Sequence, residues 1–185
     1  MRTRYILSDD GKCIGSFAGS EEMLELNTQG KKYTEVKPAS PSDWWSFEEE
    51  CWKPIGDKPS ANHQFDYTEK DWVDPRSLEE IKEEKWNQIK IQRNRLEFGG
   101  FEFNGNTFDS DIASQGRIAT AASLGYEIEW TTKDNTSILL SSDQLKSLQI
   151  ALARHVNELH DKARKARAKI TEASTKEEVE AVTLI

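Results

Sequence analysis

The apolar positions of the C-terminal half recur at the spacing of an α-helix. The longest stripe begins at Leu145 and continues to Ala173 in steps of three and four residues, so that its members lie on one face of a helix. Ser141 precedes the stripe, and Gln144 stands three residues later, which is the spacing of a capping box. These signals predict a helix of roughly 48 Å, at a rise of about 1.5 Å per residue.

A second amphipathic helix is predicted over residues 77–97, with a capping box at its start and two glycines at its end. A strict heptad repeat counted from Leu145 would place His155, Lys162 and Lys169 in the apolar seam, which disfavours a two-stranded coiled coil between chains. We therefore expect the long helix to pack against the helix over 77–97 within one chain. An inter-chain coiled coil is the alternative.

Two β-hairpins are predicted between these helices. Asn104 and Gly105 favour a two-residue turn, which would place Phe101 opposite Phe108. The second hairpin is indicated by a strand over residues 126–131, a turn and a returning strand over 137–140. The first of these strands alternates apolar residues on one face: Tyr126, Ile128 and Trp130.

Two shorter helices complete the pattern of the C-terminal half. Residues 109–111 combine two aspartates and a serine in front of a short helix over about residues 112–124, where short polar side chains satisfy free backbone amides. A similar cap over residues 174–177 precedes a last short helix that ends near residue 182.

The N-terminal part is predicted to consist of short strands and turns. The turn over residues 9–11 separates apolar runs at 5–7 and 13–17 and predicts a hairpin, and residues 32–37 form another candidate strand. A weak internal similarity relates residues 47–54 to residues 65–75, because both pass from an aromatic residue through a polar turn to tryptophan and then proline. Each is interpreted as a small hairpin in which Trp52 packs on Phe47, or Trp72 on Phe65.

The distribution of proline and tryptophan divides the chain. All five prolines and four of the six tryptophans lie between residues 38 and 75, and the remainder is rich in helical signals. The predicted fold is α+β, with a small β-rich module over residues 1–74. A helical domain over residues 75–185 follows, with two β-hairpins and a long C-terminal helix.

Charge and hydropathy exclude several classes of function. The net charge of −8 disfavours sequence-independent binding of nucleic acid and of anionic membranes. No apolar stretch reaches the roughly 20 residues of a membrane helix, and no long apolar segment follows the basic start as in a signal peptide. Cys13 and Cys51 lack metal-ligand spacing and are expected to be free thiols, with a disulfide between them as the alternative.

Candidate chemistry is sparse. Asp109 and Asp111 resemble a metal-binding carboxylate pair but fit a helix cap better. His155 and His160 are five residues apart, whereas histidines that share a zinc ion on a helix stand four apart, so each is expected to bond locally. No phosphate-binding loop, dinucleotide-binding motif or nucleophile turn is present. We expect no catalytic, cofactor-binding or metal-binding residue.

The aromatic residues of the N-terminal module are the most informative candidates. If exposed, they would bind a protein partner or a sugar, because rigid aromatic rings provide contact area at low entropic cost. If buried, they would form the core of a module with few aliphatic residues. The candidate partner-binding residues are Trp44, Trp45, Trp52, Tyr67 and Trp72.

The region from Trp72 to Val182, more than half of the chain, resembles the C-terminal domain of many phage tail-fibre assembly proteins, a domain of unknown function. The resemblance rests on an ordered set of segments: 72–76, 108–111, 114–118, 130–135 and the long helix with His155, His160 and Arg164. It implies an assembly or structural protein that binds a tail fibre or a tail or baseplate component and is not an enzyme. The implied location is the host cytoplasm during assembly or the virion tail, and trimeric fibres suggest a trimer by analogy. A receptor- or carbohydrate-binding module and an enzyme that acts on polysaccharide are the alternatives.

Overall fold

The computed structural model describes residues 2–184, and the chain has an α+β fold as predicted. Its contacts divide it into two compact units, Met1–Arg76 and Ser77–Ile185. The sequence analysis placed the boundary after residue 74, at the end of the proline-rich region. We call these regions unit 1 and unit 2.

Unit 1 begins with an antiparallel sheet of three strands in the order β2-β1-β3. The hairpin of β1 (Arg2–Leu7) and β2 (Cys13–Gly19) is the predicted one, and β3 (Lys32–Thr34) covers only the first half of the strand predicted over residues 32–37. A helix that the sequence analysis missed, α1 (Glu21–Thr28), is capped by Ser20 and buries Leu24.

Two further hairpins of unit 1 form a tandem repeat. The first consists of β4 (Trp44–Ser46) and β5 (Cys51–Lys53), and the second of β6 (Gln64–Asp66) and β7 (Asp71–Val73). Residues 39–53 and 59–73 have identical sequences of bends, turns and strands at a constant offset of 20 residues. Each four-residue turn ends in a residue with positive φ, Glu50 at 54° and Lys70 at 59°. The weak similarity in the sequence therefore corresponds to a repeat without insertions.

The predicted pairing was wrong in the first hairpin and is confirmed in the second. Trp45, not Phe47, lies opposite Trp52, because Phe47 is the first residue of the four-residue turn and is 44% exposed. In the second hairpin Phe65 lies opposite Trp72. The error arose because Phe47 was aligned with Phe65, whereas the 20-residue offset aligns Phe47 with Tyr67.

Over its described residues, 77–184, unit 2 contains four helices and the two predicted hairpins. Phe101 lies opposite Phe108 as predicted, and Asn104 and Gly105 form the turn with φ of 50° and 78°. The capping boxes predicted at Ser77 and Ser141 are both present. The elements are α2 (Leu78–Glu97), β8 (Phe101–Phe103), β9 (Asn106–Phe108), α3 (Ile112–Ser123), β10 (Ile128–Thr131), β11 (Ser137–Leu140), α4 (Ser142–Glu172) and α5 (Lys176–Glu180).

The core of unit 2 surrounds the long helix α4. The C-terminal half of α4 presents Ala163, Ala166 and Ile170 to α2 and α5, and the small side chains of the two alanines permit a close approach. The N-terminal half packs through Leu145 and Leu148 against α3 and the two hairpins. The prediction that the long helix packs against the helix over 77–97 within one chain is confirmed.

In unit 2 the start of one strand differs from the prediction. Tyr126 was expected on the face of a strand with Ile128 and Trp130, but β10 begins at Ile128. The chain leaves α3 through Gly125, whose φ is 77°, and this turn leaves Tyr126 outside the ladder and 59% exposed.

Candidate partner-binding site

The five candidate aromatic residues lie on the repeated hairpins of unit 1. Trp44 and Trp45 belong to β4 and Trp52 to β5, whereas Tyr67 is the first residue of the second turn and Trp72 belongs to β7. Trp45 is 7% exposed, and the other four are half-buried. The sequence analysis treated a buried core and an exposed binding surface as alternatives. The structure combines them, because one of the five side chains is buried and the other four are partly exposed.

The first hairpin holds an aromatic cluster built on Trp52. Its ring meets Trp45 edge to face, with ring centroids 5.4 Å apart, and meets Tyr5 of β1 in the same manner at 6.4 Å. The indole Nε1–H of Trp52 donates to the carbonyl oxygen of Val36 at 2.7 Å. This hydrogen bond satisfies the polar N–H of the indole and holds the ring of Trp52 in one orientation.

The second hairpin repeats this arrangement. Trp72 meets Phe65 edge to face at 5.6 Å, and its Nε1–H donates to the carbonyl oxygen of Ile55 at 2.8 Å. Tyr67 packs edge to face on Phe65 at 5.1 Å. Phe65 was not among the predicted site residues, and the signal that could have identified it is its position 20 residues after Trp45.

Lysines connect the two clusters. The ammonium group of Lys70 lies 4.4 Å from the ring centroid of Trp44 and donates to the carbonyl oxygen of Asp10. The ammonium group of Lys12 lies 5.3 Å from the ring centroid of Tyr67. Such contacts contribute about 0.5–1 kcal/mol each at exposed sites. The structure thus brings the candidates together as two linked clusters and not as one flat aromatic platform.

The hairpins also attach to the turn between β1 and β2. The backbone N–H of Trp45 donates to the carbonyl oxygen of Gly11 at 2.8 Å, and Gly11 has a φ of 80°. An added Cβ at Gly11 would stand 2.2 Å from the carbonyl oxygen of Trp45. Only glycine permits this approach.

Two ionisable groups reflect this environment. Burial raises the pKa of the Tyr67 hydroxyl, and the nearby carboxylates of Asp10 and Asp43 add to the effect. The hydroxyl of Ser8 donates to Asp10 and lowers the pKa of that carboxyl group, so that Asp10 is ionised at neutral pH. The aromatic surface is therefore adjacent to fixed negative charge.

The carboxylate candidate of unit 2 is a helix cap. Asp111 accepts from the backbone amides of Ala113 and Ser114 at the start of α3. The hydroxyl of Ser114 donates to Asp111 at 2.6 Å, and this bond and the amide bonds lower the pKa of the carboxyl group. In the part of the chain from residue 2 to residue 184, no group of three or more His, Cys, Asp or Glu side chains is arranged to hold a metal ion.

The two histidines of α4, which were expected to bond locally, instead contact residues at the end of α2, far away in the sequence. The Nε2–H of His155 donates to the carbonyl oxygen of Leu96 at 3.2 Å, and its ring stacks on Phe101. His160 contacts the carboxylate of Glu97 at 3.1 Å. Both contacts lie at the end of α2, where the last backbone carbonyl groups need donors from outside the helix.

None of the helices formed by the described residues has the length and apolar composition needed to cross a bilayer. Cys13 and Cys51 are half-buried free thiols.

The match to a known protein family lies in unit 2. Residues 80–183 match the model of the domain of unknown function DUF4376, which covers more than half of the chain. The chain belongs to the DUF4376 family. The matched region begins inside α2 and ends after α5, so the DUF4376 domain lies within unit 2, and the repeated hairpins precede it. No curated protein and no solved structure matches the chain significantly.

Proposed function

We propose that this DUF4376 protein associates with a bacteriophage tail fibre and binds a fibre or tail component, either as an assembly factor or as a subunit of the virion. The resemblance of its C-terminal region to tail-fibre assembly proteins supports the proposal. Its place of action would be the host cytoplasm during assembly and, for a subunit that stays, the tail of the particle.

The choice of contact surface rests on one observation, the partial exposure of the aromatic clusters. Trp44, Trp52, Tyr67 and Trp72 are half-buried and held in place by hydrogen bonds and cation–π contacts. Partly exposed, immobilised aromatic residues supply much of the binding energy at protein interfaces, since little side-chain entropy is lost on binding. The apolar stripe of α4, in contrast, is already covered by α2, α3 and α5.

The ring geometry favours a protein partner over a sugar. Sugar binding on an aromatic platform needs open ring faces. Trp45 and Trp52 pair edge to face, Phe65 and Trp72 do the same, and Lys70 lies over the ring of Trp44, so that a face is already covered in each of these three places. A carbohydrate-binding module would show protection of tryptophan fluorescence by host glycans. An enzyme acting on polysaccharide would lose activity in Asp109→Ala or Asp111→Ala, although Asp111 functions as a cap.

Mass spectrometry of purified, tail-intact particles, together with affinity capture of the tagged chain from infected cells, tests the proposal. Recovery of the chain at stoichiometric level in particles makes it a virion subunit, and its copy number tests a trimer. Absence from particles with capture of fibre protein from the lysate makes it an assembly factor. If the chain is absent from particles and also captures no fibre protein, a role at the tail is excluded.

A matched pair of variants tests the contact surface. Trp44→Gln installs the residue that occupies the equivalent position, Gln64, of the second repeat, so the hairpin is expected to fold. We expect the captured fibre protein to fall by about tenfold or more, as for an interface residue worth above about 1.4 kcal/mol. Leu26→Gln alters an apolar side chain of α1 that is 73% exposed and should leave capture unchanged. Equal capture by both variants would exclude Trp44 from the interface.

A further inference from the structure

The strand β2 lies at an edge of the three-stranded sheet of unit 1. Within residues 2–184 the only strand paired with β2 is β1, so the backbone donors and acceptors along the outer side of β2 have no strand partner. Residues 14–18 are all exposed, with Ile14 at 62% and Phe17 at 37%. An exposed edge of this kind is a template for the addition of a further strand.

The edge formed by β2 lacks the features that usually protect such a strand. Folded proteins protect their edges with charged side chains, with proline or with very short strands. The opposite edge of the sheet follows this rule, because β3 has three residues and carries Lys32. The seven residues of β2 include neither a charged residue nor proline. A bulge leaves Ile14 opposite no residue of β1, but residues 15–19 pair regularly with β1, so most of the edge has regular strand geometry.

The geometry of an antiparallel pair limits how two copies of β2 could meet. Residues that lie opposite each other both direct their backbone groups toward the partner strand or both away from it, and the two cases alternate along each strand. Two copies of one strand can therefore pair symmetrically about a residue but not about a peptide bond. For β2, the pairing centred on Ser16 is the one that engages all seven residues, Cys13–Gly19.

The sequence of β2 complements itself in this pairing. Phe17 of one copy lies opposite Gly15 of the other, and the aromatic ring supplies the packing that a strand glycine lacks. Ile14 lies opposite Ala18 of the other copy. Each of the two large apolar side chains thus meets a small residue, whereas a pairing centred one residue later would leave Ile14 without an opposite residue on the second strand.

We propose that β2 is a dimerisation strand, which pairs antiparallel with β2 of a second copy of this chain about a twofold axis at Ser16. The two sheets then form one continuous sheet in the order β3-β1-β2-β2-β1-β3. The same surface of each copy takes part, as in the closed twofold dimers that are the commonest symmetric assemblies. The proposal concerns self-association and does not depend on the proposed function at a tail fibre.

Sedimentation equilibrium of the purified full-length chain tests the dimer. We expect a species of twice the chain mass of 21.2 kDa. Ser16→Lys places like charges opposite each other at the axis and should raise the dissociation constant of the dimer by about tenfold or more. Ser137→Lys changes an exposed serine of β11 by the same charge and should have no effect. A monomeric wild-type chain, as expected if β2 pairs with a strand of another protein, or a dimer insensitive to Ser16→Lys, would overturn the proposal.

Cysteine cross-linking measures the register of the two strands. In a chain with Cys13→Ser and Cys51→Ser, Ser16→Cys places two thiols opposite each other, with Cα atoms about 4.5–5.5 Å apart, within the range of disulfides. Mild oxidation should convert most of this variant to a covalent dimer on a non-reducing gel. Ala18→Cys is the matched control, because its two copies lie four residues apart along the paired strands, or about 13 Å, and should stay largely monomeric on the gel. Equal cross-linking of the two variants, or none at Ser16, would contradict the pairing.

Discussion

Units 1 and 2 are stabilised in different ways. Unit 2 buries aliphatic side chains on both halves of α4 and caps its helices with local hydrogen bonds. Among the described residues, unit 1 buries few aliphatic side chains, such as Ile6, Leu7 and Leu24, and relies on ring contacts and indole hydrogen bonds. The stability of unit 2 should therefore depend most on the volume of its buried side chains. The stability of unit 1 should depend most on particular hydrogen bonds, ring contacts and turns.

The largest expected effect is a cavity in unit 2. Leu148 is 0% exposed within the cluster around α4, and Leu148→Ala should lower the free energy of unfolding by about 2–5 kcal/mol. Urea denaturation followed by circular dichroism at 222 nm reports mainly on unit 2, since most helical residues lie there. The control is Ile150→Ala on the same helix at 54% exposure, for which little change is expected. Equal effects of the two variants would contradict the assigned core.

A single methyl group at the β1–β2 turn should produce the next largest effect, in unit 1. Gly11→Ala places a Cβ 2.2 Å from the carbonyl oxygen of Trp45 at a positive φ, so it strains the backbone and displaces the first repeat. We expect a loss of about 2–4 kcal/mol in the transition seen by tryptophan fluorescence.

Gly30→Ala separates the two components of this effect. Gly30 has a φ of 73°, but no atom lies within 4 Å of an added Cβ. Only the backbone strain remains, and the expected loss is about 1–2 kcal/mol. A loss at Gly30 as large as at Gly11 would show that the contact with Trp45 is unimportant.

The equivalence of the repeats predicts equal effects of two conservative substitutions. Trp52→Phe and Trp72→Phe keep an aromatic ring but remove the indole donors to Val36 and Ile55. Each should lower the stability of unit 1 by about 1 kcal/mol, the usual net contribution of a hydrogen bond. Both are measured by urea denaturation. Clearly unequal losses would indicate that the two hairpins differ in structural importance.

The two units also differ in how far the sequence predicted them. In unit 2 the caps at Ser77 and Ser141 and the turn at Gly105 are local signals, and local signals fix helix starts and hairpin register. In unit 1, α1 was missed because its eight residues carry little periodicity, although Ser20 is a typical cap. The hairpin pairing was misassigned at Phe47, since strands of three residues provide too little alternation to fix the register.

The candidate site shows the same limit. The tryptophans were identified from composition. Phe65 was predicted as the packing partner of Trp72 but not as a site residue, and the lysines over the rings were not predicted. Lys70 and Lys12 reach Trp44 and Tyr67 from distant positions in the chain, and such contacts depend on tertiary structure. A comparison at an offset of 20 residues would have aligned Trp45 with Phe65 and Phe47 with Tyr67.

The smallest expected effect is on the acid sensitivity of unit 2 and involves Asp111, the cap of α3. The pKa of Asp111 is lowered below its ordinary value of 3.8, mainly by the hydroxyl of Ser114 and by backbone amides of α3. A depressed folded-state pKa means that the carboxylate stabilises the fold above the unfolded-state pKa, and that this contribution disappears as the pH falls through the folded-state pKa. Asp111→Asn keeps a good capping residue but removes the titration.

We therefore expect the stability of the wild-type unit 2 to fall more steeply below about pH 4 than that of Asp111→Asn, and the two curves to run parallel above about pH 5. The measurement is urea denaturation at 222 nm across this range, in which the other carboxylates contribute equally to both proteins. Asp10 of unit 1 also has a lowered pKa through Ser8, so the fluorescence transition should retain its acid sensitivity in Asp111→Asn. Parallel curves at all pH values would show that Asp111 caps α3 equally well with or without its charge. In that case the stabilisation comes from the geometry of its hydrogen bonds.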